Sequence, residues 1–275
     1  MTANSELIPV EEWGRVRGFK NLFRKESRAW WRTRRWWINA IIWPIILCGL
    51  LANMLFVPTI ANLATDAEIA RTGNLTAHIM SMGINVFFEF GITALAIGVV
   101  ILSQDVIIGE IQNGMAEWLL SKPVTCQAYL LAKLAANLIP VLILLIGLPA
   151  ALAYSLLSIR SGTLFPAADF LKAVGVMTLH TLFYLFLALM LGTFFNRRAA
   201  ILSISLGSVM GGPLLGGFIK PLLSITPWAL PKIASLTASG LSVPVEIGIT
   251  PIIATALWCS VFIVAALAKF KNAEF

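Results

Sequence analysis

The chain is poor in charge. Only 12% of its 275 residues are Asp, Glu, Lys or Arg, against 59% hydrophobic residues. A soluble domain of this length carries about twice that share of charge. A water-soluble enzyme or binding domain is therefore excluded, and no stretch remains that could build a separate soluble core. Histidine is scarcer still, with His78 and His180 alone. There is no H-E-x-x-H helix and no G-x-S-x-G elbow, so the usual constellations of a membrane hydrolase are missing. Cys48, Cys126 and Cys259 are isolated and odd in number, which gives neither a disulfide framework nor a metal-ligand spacing.

What the sequence has instead is apolar length, with a mean hydropathy of +0.87. Runs over 36–57, 82–102, 129–157, 170–195, 199–218 and 249–268 each suffice to cross a hydrocarbon core of about 30 Å at about 1.5 Å per residue. The predicted fold class is an all-α polytopic membrane protein with six transmembrane helices in a single transmembrane domain over 1–275. Pro140 and Pro149 fall inside the third run, where neighbouring helices can re-satisfy the freed carbonyls. The fifth run carries Gly207, Gly211, Gly212, Pro213, Gly216 and Gly217, a density that permits close helix contact or a break. Residues 220–248 hold four prolines and no clean span, and read as short outer segments, re-entrant if they reach membrane depth.

The net charge of +7 is unevenly placed. Nine of the twenty basic residues precede the first span, among them Arg17, Lys20, Arg24 and Arg28. Over 11–35 the pattern is that of an amphipathic helix, with Val16, Phe19, Leu22, Phe23 and Trp30 within an arc of roughly 120° and most basic residues opposite. Such a helix lies in the interface, apolar side in the acyl boundary and basic side on lipid phosphates. That placement points to a lipid bilayer and not to nucleic acid. A signal peptide is disfavoured by the length of the basic region and by Pro44. Trp30, Trp31, Trp36 and Trp37 then form an aromatic belt at the first span. With six spans, fifteen basic residues fall on one side and Arg71, Arg160, Lys172, Lys220 and Lys232 on the other. This asymmetry predicts that both termini face the cytoplasm.

Between the second and third spans lies a short charged segment, 106–122. It runs Gly109-Glu110-Ile111-Gln112-Asn113-Gly114-Met115-Ala116-Glu117-Trp118-Leu119-Leu120-Ser121-Lys122-Pro123, and continues to Lys133. The spacing Gly109-x-x-x-x-Gly114 opens like a phosphate-binding loop, but Met115 and Ala116 stand where Lys and Ser/Thr would be needed. The chain has no nucleotide site of that kind and reads as a non-enzymatic subunit.

The same segment resembles the cytoplasmic E-x-E-x-G-T-x-E-x-L-L-x-x-P motif of type-2 ATP-binding-cassette permeases (ABC-2), which is followed about ten residues later by Lys. Glu110, Gly114, Glu117, Leu119, Leu120, Pro123 and Lys133 fall on that spacing, whereas Gln112 replaces an acid and Met115 a Thr. The resemblance implies a permease subunit of an ATP-driven exporter in the plasma membrane. Its partners would be a separate ATP-binding-cassette ATPase subunit and a second permease copy or a similar permease. ATP and magnesium would sit on the ATPase, with no cofactor in this chain. Residues 11–35 would be an elbow helix and 106–122 a coupling helix. There Glu110 and Glu117 would face polar or basic groups of the ATPase, Leu119 and Leu120 would fill an apolar pocket, and Pro123 would end the helix.

Two ionisable groups inside apolar runs are candidates for the substrate pathway. Glu89 is expected near the outer end of its span, within reach of interfacial water. His180 is expected mid-span beside Thr178 and Thr181, as a pathway residue or a helix–helix hydrogen-bonding partner. Two other functions fit the composition. An ion-gradient-driven transporter would show midplane acids and internal repeats, yet no convincing repeat relates 36–157 to 170–268. A membrane scaffold or enzyme docking a cytosolic partner would leave the ABC-2 motif unexplained.

Overall fold

A computed structural model describes residues 16–57, 74–115, 124–244 and 248–271. Without water to satisfy backbone N–H and C=O groups, apolar segments must satisfy them internally, and the described residues are helical accordingly. In chain order the helices are α1 (Phe19–Trp31), α2 (Arg35–Phe56), α3 (Leu75–Asn85), α4 (Gly91–Ser103), α5 (Ile108–Gln112) and α6 (Cys126–Pro140). They continue with α7 (Leu148–Ser161), α8 (Ala167–Phe194), α9 (Arg198–Phe218), α10 (Lys220–Ile225), α11 (Leu230–Ala238) and α12 (Thr250–Lys271). Wide π turns, Val86–Phe90 and Val141–Gly147, join α3 to α4 and α6 to α7 into long continuous rods. Among the described residues, six helical units are long and apolar enough to cross a membrane: the protein is an all-α polytopic membrane protein.

The ends of these rods are set locally. Asn74 Oδ1 accepts from Ala77 N at 2.7 Å and opens α3, so residues 75–81 are helical turns ahead of the apolar run. Thr125 Oγ1 accepts from Ala128 N at 3.2 Å and opens α6. The second π turn lies between Pro140 and Pro149, where two missing N–H groups disturb the ordinary ladder.

Helix α8 is the hub, buried along most of its length and packed against α4, α9, α11 and α12. Helix α2 leans on α3 and α7 at the side of the bundle. Helix α9 runs unbroken through its glycines. Two of them serve close approach: a Cβ on Gly212 would fall 2.0 Å from the Trp228 ring, and one on Gly216 2.5 Å from Leu223. Trp228 belongs to a 3₁₀ turn, Pro227–Ala229, between α10 and α11. Helix α10 folds back along α9 and α12, and α11 climbs between α8 and α3. Residues 220–240 are thus a helical hairpin whose turn reaches Gly212, well inside α9. This is the physical form of the short segments expected there.

One end of the bundle gathers α1, α5, the start of α6, the 195–197 turn and the end of α12. We call it the α1 end.

Candidate coupling site

At the α1 end, several elements converge on one carboxylate. Ile107 and Ile108, each 1% exposed, seat α5 against the bundle and fix the position of Glu110. Its Oε1 lies 2.9 Å from Lys25 Nζ of α1. Its Oε2 lies 3.0 Å from Lys133 Nζ of α6 and accepts from the Tyr129 hydroxyl at 2.7 Å. Glu26 of α1 supplies a second carboxylate, 3.4 Å from Lys133 and 3.6 Å from Lys25. Two ammonium groups and two carboxylates make the cluster formally neutral.

The Lys133 side chain is only 3% exposed. A bare ammonium so deep would carry a penalty of several kcal/mol, and the two carboxylates offset it. The Tyr129 ring adds a face, 5.3 Å from Nζ, and is itself stacked on Phe270 of α12 at 5.2 Å with planes 3° apart. Burial pulls the Lys25 ammonium down, but Glu110 and Glu26 outweigh it and hold its pKa above the ordinary lysine value. One turn beyond Lys133, Asn137 accepts from Trp30 Nε1 at 3.0 Å and donates to the Lys133 carbonyl at 2.8 Å.

Helix α1 is fastened at its start too. Thr125 N donates to the Arg17 carbonyl at 3.2 Å. Gly18 takes φ 87°, and a Cβ there would stand 2.9 Å from Val124. Leu22 and Trp30 are buried by protein, so much of the apolar side expected to enter the acyl boundary is covered by α6 instead. Arg17, Lys20, Arg24 and Arg28 remain exposed.

On the other side of α5, Gln112 Nε2 donates to the Asn196 carbonyl at 3.0 Å, and Arg198 meets Asp105 at 2.8 Å. After α5 the chain reaches Gly114 at φ 65°, where a Cβ would meet nothing within 4 Å. Met115 is 43% exposed. Glu117, Leu119, Leu120 and Pro123 lie outside the described residues.

Glu110, expected to face the ATPase, has Lys25, Lys133 and Tyr129 of its own chain around its oxygens, because α1 lies across α6 within reach of α5. Sequence reasoning quoted Lys133 in the motif but missed its partners Lys25, Glu26 and Tyr129. The available signal was Lys133 and Asn137, one turn apart at the head of an apolar run: buried polar groups at that spacing require partners.

The pathway candidates are separate from this cluster. Glu89 sits midway between Leu75 and Ser103, because the helix starts earlier than the hydropathy run. Its Oε1 lies 3.1 Å from Lys232 Nζ. His180 is 3% exposed and 5.1 Å from the Tyr184 ring, and its Nδ1 has no hydrogen-bond partner among the described residues. The structure does not bring Glu89 and His180 into one site.

In comparisons with known proteins, the family model described as "ABC-2 family transporter protein" matches residues 20–275. No curated protein matches the chain.

Proposed function

Because the chain belongs to the ABC-2 transporter family, we propose that it is the permease of an exporter driven by ATP hydrolysis on a separate ATPase subunit. The observation that carries this reading is the Glu110 cluster. It makes α1, α5, α6 and α12 one mechanical body, so a force applied just beyond Gly114 is delivered to two spans and the elbow together.

In this reading residues 116–123 are the docking peg. Glu117 meets basic or polar groups of the ATPase, Leu119 and Leu120 enter an apolar pocket, and Pro123 ends the peg. Glu110 is the anchor behind it, and Gly114 is the joint. The exposed Arg17, Lys20, Arg24 and Arg28 rest on lipid phosphates. The α1 end faces the cytoplasm of a cell bounded by this plasma membrane, and both termini lie there, because the basic residues concentrate at that end. Two copies, or this chain with a similar permease, flank the pathway, to which Glu89 and His180 contribute. ATP and magnesium belong to the ATPase subunits, and nucleic acid has no part.

The test is co-purification. The chain, expressed with an ATP-binding-cassette ATPase subunit of the same cell, should be recovered as a complex with vanadate-sensitive ATP turnover. Recovery of the chain alone, with no nucleotide-hydrolysing companion, contradicts the reading.

A further inference from the structure

The corner between α1 and α2 reads Trp31-Arg32-Thr33-Arg34-Arg35-Trp36-Trp37, and the Glu110 cluster includes none of these residues. Residues 27–65 contain no acid. Among the described residues, Arg32, Arg34 and Arg35 form no ion pair, whereas Lys25, Lys133 and Arg198 are each paired within the chain. Every residue from Trp31 to Ile38 is exposed. The corner nevertheless has a fixed shape. The Thr33 hydroxyl donates to the Ala29 carbonyl at 2.7 Å and accepts from Arg35 N at 3.3 Å. Asn39 Nδ2 donates to the Arg35 carbonyl at 2.7 Å. Three guanidinium groups are thus presented on a preorganised turn, and the guanidinium fork matches phosphate geometry.

Apolar surface continues directly from this turn. At about 100° per residue, Arg34, Ile38, Ile41 and Ile45 fall within an arc of about 60°. The three isoleucines are 37%, 49% and 66% exposed. From Arg34 to Ile45 the strip runs about 16 Å, close to half of a hydrocarbon core of about 30 Å, which is the depth of one leaflet. Trp37 is exposed beside it, at the level where indole rings lie between headgroups and acyl chains. The strip has the profile of a phospholipid, with cations above and apolar length below. The exposed cations of α1 differ, because much of the apolar side of that helix is covered by α6. A second copy is a poor occupant, since three cations without an acid repel their own image across a two-fold axis. A cytosolic protein would leave the isoleucines, at hydrocarbon depth, untouched.

We propose that this corner and strip bind one anionic phospholipid. Its phosphate is held by Arg32, Arg34 and Arg35, and an acyl chain lies along Ile38, Ile41 and Ile45. The corner joins α1, which belongs to the Glu110 body, to the first span, so the bound lipid steadies the joint between them. The site rests on the membrane fold and does not depend on the ATPase reading.

The experiment uses the full chain in phosphatidylcholine vesicles that contain a lipid probe with a photoactivatable diazirine in its acyl chain. The probe carries either a phosphatidylglycerol or a phosphatidylcholine headgroup, and the label is mapped by mass spectrometry. Residues 38–45 should take up more label from the anionic probe by roughly fivefold or more, the ratio that about one cation–lipid contact supplies. Equal labelling by the two probes overturns the proposal, because the strip then meets only bulk lipid. Absence of label from either probe overturns it too, because protein then covers the strip. Arg32→Gln, Arg34→Gln and Arg35→Gln together should abolish the preference. Lys20→Gln, Arg24→Gln and Arg28→Gln together remove the same charge and should preserve it. A preference that survives the first triple, or that both triples lose, overturns the assignment to the corner. On the unsubstituted chain, an excess of soluble glycerophosphoglycerol should leave the labelling unchanged. A fall to the phosphatidylcholine level would make a free phosphodiester the ligand and overturn the lipid.

Discussion

Lys133 is the residue on which the α1 end depends. Its ammonium is buried and its two carboxylate partners come from two different elements, α1 and α5. Truncating one member of a buried pair leaves the others uncompensated, at a cost of about 3–5 kcal/mol. Lys133→Ala should therefore lower the Tm of the purified protein markedly, and Lys133→Met combined with Glu110→Gln should recover part of the loss. Asp105–Arg198 is a contrast: both side chains are half exposed, so Asp105→Asn should cost less than about 1 kcal/mol. If thermal unfolding shows equal losses for Lys133→Ala and Asp105→Asn, the cluster does not carry the weight assigned to it. The Lys25 pKa, raised by its carboxylate partners, sets the sign of the pH response. Its contribution is fully present below the ordinary lysine value and fades only as pH rises through the elevated one. The α1–α5 link should therefore hold across the physiological range.

Among the elements, the spans were legible and the contacts between them were not. Apolar length alone marked six runs, because in a bilayer helix formation follows from backbone satisfaction whatever the side chains. Hydropathy did not mark the start of the second helix, since His78 and Ser81 are polar yet helical behind the Asn74 cap. Glu89, expected near the outer end of its span, therefore lies midway along the Leu75–Ser103 rod. The 220–240 hairpin was visible only as a proline-rich anomaly. Its fold depends on Trp228 meeting Gly212, a contact that a one-dimensional pattern does not encode. The glycines of α9 differ in consequence. Gly212→Leu should displace Trp228 and lower stability, whereas Gly207→Leu, with nothing within 4 Å of its Cβ, should affect packing little. Comparing the two variants by thermal unfolding in detergent checks this. Equal Tm values would mean that the hairpin is not seated on α9. Gly114 marks another element boundary. A β-branched residue at φ 65° costs about 1–2 kcal/mol, so Gly114→Val should disturb the joint while leaving the spans inserted.

For the whole molecule, the ABC-2 motif divides into two parts. Glu110 and Lys133 face inward and bind the chain to itself. Glu117, Leu119, Leu120 and Pro123, in our proposal, face the ATPase. The motif spacing was readable in the sequence, but this division was not, because nothing in the spacing says that α1 comes back to lie against α6. The central claim is that the stretch just after Gly114 receives the stroke of a separate motor. The most direct test is ATP hydrolysis by the reconstituted complex carrying Glu117→Lys together with Leu120→Asp. We expect membrane insertion and thermal stability to match the unsubstituted chain while permease-stimulated turnover is lost. Stimulated turnover unchanged by the double substitution would contradict the account.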